Sequence, residues 1–568
     1  MYRPEICGDS YASGFPQRKP IFGNVPMHKI VHRSHEGLES FACKIWRHGI
    51  AISVLCLGFT VVPVTAQMID KNQASNNAKD GINLSYQQEI GAGRGDVTTP
   101  DSSAFIIARD PFRAIRRGRQ IFQRKFTRLQ GQGAAVGDGH GDIGSNNAIG
   151  AGLADSCAAC HARPRGSGGT GGDVVTRPDS RDAPHLFGLG IKEILADEIT
   201  FDLRAIRLSA IAAAVSAHRS ASSHLTSKGI DFGFITATPD GSVDTSQVQG
   251  VDADLRVRPF FAQGGTISIR EFLVGAFQNE MGLQSVDPEL MAASKGGKFR
   301  TPSGMLLDGS LDRIEAPPTD NPAADPDGDG VTNEVPTSIV DFMEFYLLNY
   351  FKPGTYAQSE FTRRGDRLFQ KTGCTSCHVG DLLINKDRRV ADVETVYDPA
   401  HGIFNNLFST ATPFVNAVDD GSGLPALKQP KLQPFLVKNI YTDFKRHDLG
   451  SNFYERNWDG TIQKEFLTRP LWGVGSKVAL GHDGRSANLD EVILRHGGEA
   501  QPSRDAFAAL EDEDRQAVLA FLRSLILFPP DDTASNLDPG DPAAAFFPQF
   551  GHGSIKLTVL FNDPTKKE

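Results

Sequence analysis

Cys157-Ala158-Ala159-Cys160-His161 and Cys374-Thr375-Ser376-Cys377-His378 write C-x-x-C-H twice in a chain of 568 residues. Three chemistries use paired cysteines at this spacing. A dithiol redox pair needs a single reactive C-x-x-C on a βαβ scaffold. A structural zinc ion needs four ligands, usually from a second C-x-x-C close by. Covalent haem attachment needs two thiols for the vinyl groups and an imidazole beside the second thiol to reach the iron. Only the last explains a histidine directly after the second cysteine in both copies. The motifs therefore predict two haem c groups, on Cys157 and Cys160 and on Cys374 and Cys377, with His161 and His378 as proximal iron ligands.

Cysteine use supports this. The chain has seven cysteines, and Cys7, Cys43 and Cys56 lie near the N-terminus. The other four are all in the two motifs, so none is spare for a disulfide. Lys44 and Arg47 precede an apolar run from Gly49 to Val64, then Val64-Thr65-Ala66 reads as a cleavage site. The run is short for a bilayer span of ~20 residues. Residues 1–66 are expected to be a signal peptide with an over-long leader, for which Met27 is an alternative start. A retained anchor is the alternative reading. A periplasmic or secreted protein without a stable membrane span follows.

The composition is that of a globular protein, 39% hydrophobic and 22% charged, with a net charge of −9. No long basic run is present, which argues against nucleic acid as a partner. An acidic surface favours a partner with a basic docking face.

An internal repeat frames the motifs. RRGRQIFQ (116–123) precedes the first and RRGDRLFQ (363–370) the second. APHLFGLG (183–190) follows the first and RPLWGVG (469–475) the second. The repeat predicts two related domains, 109–335 and 336–568, after a flexible segment 67–108. Helical periodicity from Ser268, Pro336 and Arg504 predicts a mainly α fold, two cytochrome-c-like haem domains with long loops and few short strands. One such strand is expected at 551–561. A Gly-rich loop before Cys157 and an insertion over 381–464 are the main decorations.

The sixth ligand of each iron sets its chemistry. The methionines after the leader are Met68, Met281, Met291, Met305 and Met343, and none follows Cys374. The C-terminal haem must then draw on His401, His447, His482, His496 or His552. His482, soon after the Pro-Leu-Trp-Gly segment, is the favoured iron ligand, with a histidine bonded only within its turn as the alternative. His140 is a candidate cap for the N-terminal iron or a solvated loop residue. Separately, Asp325, Asp327 and Asp329 alternate before Gly330, like the first half of a calcium loop. Position twelve is Pro336, so Asn333 or Glu334 would have to complete a Ca2+ site. The alternative is an Asx-rich solvated turn.

Thr468–Ala500, TRPLWGVGSKVALGHDGRSANLDEVILRHGGEA, and Arg181–Leu195, RDAPHLFGLGIKEIL, resemble the di-haem oxidoreductase family related to bacterial di-haem cytochrome c peroxidases. The resemblance runs over roughly 109–527. It implies two cytochrome-c-like domains, electrons entering at the C-terminal haem and hydrogen peroxide or a related small oxidant meeting the N-terminal one. It also implies a small redox donor protein, a cytochrome or cupredoxin. FQNEMGLQ (277–284) resembles a shortened form of the peroxidase segment whose glutamate assists O–O cleavage, and so gives Glu280 that catalytic role. Two positions depart from the family. Gly481 stands where the peroxidases have a methionine, and Phe260 and Phe261 lie near the place of the expected inter-haem tryptophan. An electron-transfer cytochrome without peroxidase activity and a di-haem oxygenase of a hydrophobic substrate are the alternative functions.

Overall fold

The structure is a computed structural model that describes residues 84–132, 154–161, 172–173, 179, 181–350, 358–397, 407–413, 415–457, 459–477 and 479–525. The signal segment, His140, His401, His552 and the strand expected at 551–561 lie outside the described residues.

Among the described residues twelve α-helices run in the order α1 (Tyr86–Ile90), α2 (Ser103–Arg109), α3 (Pro111–Gln123), α4 (Cys157–Cys160), α5 (Leu189–Ala217), α6 (Ile269–Met281), α7 (Pro288–Ser294), α8 (Thr337–Asn349), α9 (Glu360–Lys371), α10 (Leu489–Arg495), α11 (Gln501–Ala508) and α12 (Asp512–Arg523). None is long and apolar enough to cross a membrane.

The repeat becomes physical in how these helices cross. The RRG helix of each copy starts at a side-chain cap, Asp110 for α3 and Ser359 for α9. Helix α3 packs on α8, and α9 on α12. At the first crossing a Cβ on Gly118 would stand 2.3 Å from the Phe342 carbonyl oxygen, and at the second a Cβ on Gly365 would stand 1.9 Å from that of Ala517. The later glycines repeat the pattern. A Cβ on Gly190 would stand 2.0 Å from the oxygen of Leu348, on α8, and one on Gly475 2.2 Å from that of Arg523, on α12. Each copy thus has an RRG helix, a C-x-x-C-H turn, an L-[F/W]-G-x-G turn and a partner helix. The sequence-based boundary before Pro336 separates α8 from the helix it packs on.

Two hydrophobic clusters follow this grouping. The larger gathers α2, α3, α5, α6 and α8 and reaches Trp472. The smaller gathers α9, Tyr441, Phe507 and α12. Beneath the larger cluster lies a buried charge hub. Arg270 on α6 is fully buried and bonds Asp287 (2.6 Å), Asp341 (2.8 Å) and Glu344 (2.9 Å), the last two on α8. Such a set is costly to bury and costlier to break, because each remaining charge would be left without a partner. The hub fixes α6 against α8.

The expectation of a mainly α fold with few short strands is corrected. Among the described residues helix makes up 38% and strand 17%, in small sheets only, so the fold is mixed. Ala221–Ser227, Ile230–Ala237 and Val243–Val248 form an antiparallel meander. Its alternating burial and its Pro-Asp-Gly turn carry a strand signal that helical periodicity elsewhere overshadowed. The insertion after His378 likewise folds into two-stranded antiparallel pairs, among them Leu382–Ile384 with Phe435–Val437 and Arg446–Asp448 with Glu465–Leu467.

The helix crossings make a direct prediction. Gly365→Ala forces a methyl onto backbone and should destabilise the protein by about 1–3 kcal/mol. Gly275→Ala on α6, with only the Asn279 amide at 4.0 Å, should be neutral or add about 0.5–1 kcal/mol from helix propensity. Denaturant unfolding of both variants checks this. Equal effects would mean the crossing at Gly365 is not tight.

Candidate active site

Both C-x-x-C-H turns open into one cavity of about 580 Å³, lined by Cys157, Cys160, His161, Cys374, Cys377 and His378 and walled mainly by apolar side chains. The first motif forms the single-turn helix α4, the second a 3₁₀ turn over Cys374–Ser376. None of these four cysteines is in a disulfide. In each motif the histidine Nδ1 meets a backbone carbonyl, His161 that of Pro184 at 2.8 Å and His378 that of Tyr441 at 3.0 Å. A proton on Nδ1 leaves Nε2 as the lone-pair nitrogen, the usual arrangement for an imidazole that binds metal. Burial lowers the proton affinity of both rings, taking His378 to about 4.

The other imidazoles sort by their partners. His447 is engaged on both nitrogens, Nε2 by Asp443 and Nδ1 by Glu499, each at 2.8 Å. Burial pulls its pKa down, but the Asp443 carboxylate outweighs that and the ring is held protonated, at about 11. His482 is buried and stacked on Phe466, with ring centroids 4.0 Å apart. Its Nε2 approaches Glu455 Oε1 to 2.9 Å but off the line of a hydrogen bond. His496 gives Nδ1 to the Val492 carbonyl at 2.7 Å, as His161 and His378 do to theirs, and lines the cavity. His496 is also near enough to His378 for its charge to depress that ring's proton affinity.

Between the two motifs the cavity wall is rich in cations. Arg181 is held by Glu455 (3.0 Å from Nε to either carboxylate oxygen), and Lys477 pairs with Asp182. Lys192 and Arg469 have no carboxylate within salt-bridge distance among the described residues. Burial, and then mutual repulsion, brings Lys192 down to about 7, and burial brings Arg469 to about 10. Trp472 lies here too, 2% exposed and with its indole N–H unpartnered; a Cβ on Gly188 would stand 2.6 Å from its ring.

Glu280 is at the last turn of α6 and lines the same cavity, and its carbonyl accepts from Ala154 N–H at 3.4 Å. That bond ties the end of α6 to the strand of chain leading into Cys157. Phe260 and Phe261 line the cavity as well, both against Phe272. The structure thus brings Cys157, Cys160, His161, Cys374, Cys377, His378, Glu280 and His482 around one space. Asp325, Asp327, Asp329 and Asn333 belong to a separate loop. Sequence reasoning missed Trp472, Lys192 and Arg469. Their signal was present in the aligned segments L-F-G-L-G-I-K (186–192) and L-W-G-V-G-S-K (471–477), which set Lys192 and Lys477 at equivalent places.

The donor set fits a haem at each motif. Paired thiols, oriented imidazoles and an apolar wall suit the macrocycle, and two deep cations without a salt-bridge partner among the described residues suit its carboxylates.

Residues 382–525 match the family model described as "Di-haem oxidoreductase, putative peroxidase". That is about a quarter of the chain, and there the likeness is to di-haem oxidoreductases. The matched stretch begins just after His378 and carries His482, His496, Trp472 and the C-terminal partner helix. No curated protein matches the sequence. Among solved structures, a hydrazine synthase from Kuenenia stuttgartiensis pressurised with xenon is 15% identical, over 33% of this chain and 55% of that one, with a TM-score of 0.20. The chain spans about half the length of that structure, and the likeness carries no argument.

Glu455 yields a test of the wall. Burial raises a carboxyl, but the His482 ring and the Arg181 guanidinium outweigh it and hold Glu455 at about 2. Its folded pKa lies below the unfolded ~4.3. Its stabilisation is therefore present above pH ~4.3 and is lost as pH falls towards 2. Unfolding free energy should fall less steeply between pH ~5 and 2 in Glu455→Gln than in the parent. Parallel curves would remove Glu455 from the charge balance.

Proposed function

We propose that this protein is a di-haem oxidoreductase, an exported c-type cytochrome that reduces hydrogen peroxide or a related small oxidant. Two haem c groups would be held through Cys157 and Cys160 and through Cys374 and Cys377. His161 and His378 would bind iron through Nε2, and Lys192 and Arg469 would neutralise propionates. One haem domain comprises the chain from 109 through α8, the other the chain from α9 onward. When bound, the haems supply electron storage and an iron that takes up the oxidant. The observation that carries the reading is the single cavity that both motifs share.

The chain's own residues do the rest. The reaction is H₂O₂ + 2e⁻ + 2H⁺ → 2H₂O, so a proton must move from the near to the far peroxide oxygen as the O–O bond breaks. Glu280, in the wall beside His161's motif, takes and returns that proton. The Arg270 hub holds α6, and so Glu280, in place. Phe260, Phe261, Phe272 and Leu273 keep water out of the same wall. Electrons enter at the C-terminal haem from a small redox donor protein, a cytochrome or cupredoxin, and Trp472 lies in the wall between the two motifs. A Ca2+ ion at the Asp325 loop is a further cofactor, argued below.

For the sixth ligand of the C-terminal iron the geometry favours His496 over His482. The Nδ1 of His496 is committed to a backbone carbonyl and its ring is close to His378, whereas His482 is turned to Glu455 and Phe466.

Optical and electron paramagnetic resonance spectra of the as-purified and half-reduced protein, with and without hydrogen peroxide, test the reading. One high-spin iron that reacts with peroxide is expected, and two inert low-spin irons in both states would contradict peroxidase function. Glu280→Gln should lower peroxide turnover by roughly 10²–10⁴-fold while leaving the resting spectra unchanged. His496→Ala should turn the C-terminal iron high-spin and His482→Ala should not; the reverse result would return the ligand role to His482.

A further inference from the structure

We propose that Asp325, Asp327, Asp329 and Glu334 bind a calcium ion that fastens the end of α6 to the start of α8. One carboxylate oxygen from each aspartate lies within 4.8 Å of the others. Oxygens around one calcium, at 2.3–2.6 Å from the ion, fall within about 5 Å of each other. An acidic loop alone says little, since solvent can screen it.

Glu334 supplies the independent observation. It is 2% exposed, its Oε2 accepts from Gln284 N–H at 2.7 Å, and its Oε1 has no hydrogen-bond partner. A buried carboxylate oxygen left bare is costly unless a cation meets it. The same Gln284 donates through Nε2 to Asp327 Oδ2 at 3.2 Å, so one glutamine holds both carboxylates on the same side. Asp327 Oδ1 is also without a partner. The charges of all three aspartates act on Glu334. No lysine or arginine pairs with any of the four among the described residues. Three carboxylates within ligand distance of one another, a fourth tied to Asp327 through Gln284, and no Lys or Arg counter-charge among the described residues suit a hard divalent cation. Irregular all-oxygen ligation by a loop suits calcium better than magnesium, which keeps its waters and demands an octahedron.

Asn333, one residue earlier, is exposed with its backbone in the left-handed region, φ 55°. That turn sends Glu334 inward. The position has consequences. Gln284 closely follows α6, which ends at Met281 beside Glu280. Glu334 leads into α8, and its carbonyl accepts from Tyr86 Oη at 2.6 Å. The ion would bind the helix that carries Glu280 to the helix that α3 crosses. The site does not depend on the haem reading.

Calorimetric titration of the chelator-treated holoprotein with CaCl₂, with melting in the presence and absence of EGTA, tests the proposal. One Ca2+ per chain and a lower melting temperature with EGTA are expected. Glu334→Gln should weaken binding by at least about tenfold, as should Asp327→Asn, while Asn333→Ala should bind as the parent does. Haem spectra report whether each variant has folded. No heat up to millimolar CaCl₂ with melting unchanged by EGTA would overturn the site. Parent-like binding by Glu334→Gln would overturn the role of Glu334, and equal affinity for MgCl₂ would overturn calcium as its ion.

Discussion

Two helix crossings so close that only glycine fits organise this protein. Gly118 lets α3 lie on the backbone of α8, and Gly365 lets α9 lie on that of α12. Gly190 and Gly475 then bring the turn after each C-x-x-C-H onto the far end of the same partner helix. A side chain at any of these positions would push the helix pair apart and carry the adjacent turn with it. The constraint places His161 under the Pro184 carbonyl and His378 under that of Tyr441. The tight contacts are therefore part of how each imidazole is aimed.

The second physical theme is charge held away from water. In the Arg270 hub three carboxylates meet one guanidinium, and Asp341 also bonds Arg94, so the network stiffens the α6–α8 pair. The cavity wall is open by comparison, with Lys192 and Arg469 repelling each other across an apolar space. The Asp325 loop is its mirror image, with carboxylates converging and no cation. Charges bonded to opposite charges hold parts of the fold together, while like charges gathered without an ion-pair partner suit something bound from outside. On that reasoning two haems and a calcium ion would be the partners of these charges.

Much of this was legible in the sequence. The two C-x-x-C-H motifs, the RRG and L-[F/W]-G repeats and the Asp325 loop are local patterns with one physical meaning each. The Gly365 crossing is visible in the sequence as a glycine inside a strongly amphipathic helix, where alanine would otherwise be favoured. The rest depends on distant partners. That α8 pairs with α3 rather than with the helices after it is a tertiary fact, so a boundary drawn before Pro336 follows naturally from reading periodicity alone. His496 and His482 look alike in sequence, and only the Val492 carbonyl and the Glu455 carboxylate tell them apart. The meander over 221–248 was readable from its alternation and turns, but was outweighed by the helical segments around it.

The central claim is that one cavity, formed by both copies of the repeat, holds two irons. Anomalous diffraction at the iron edge from crystals of the holoprotein tests it most directly. Two iron peaks are predicted, one bonded to His161 Nε2 and one to His378 Nε2, both inside the shared cavity. A single iron, or a different metal held by the four cysteine sulfurs, would contradict the account.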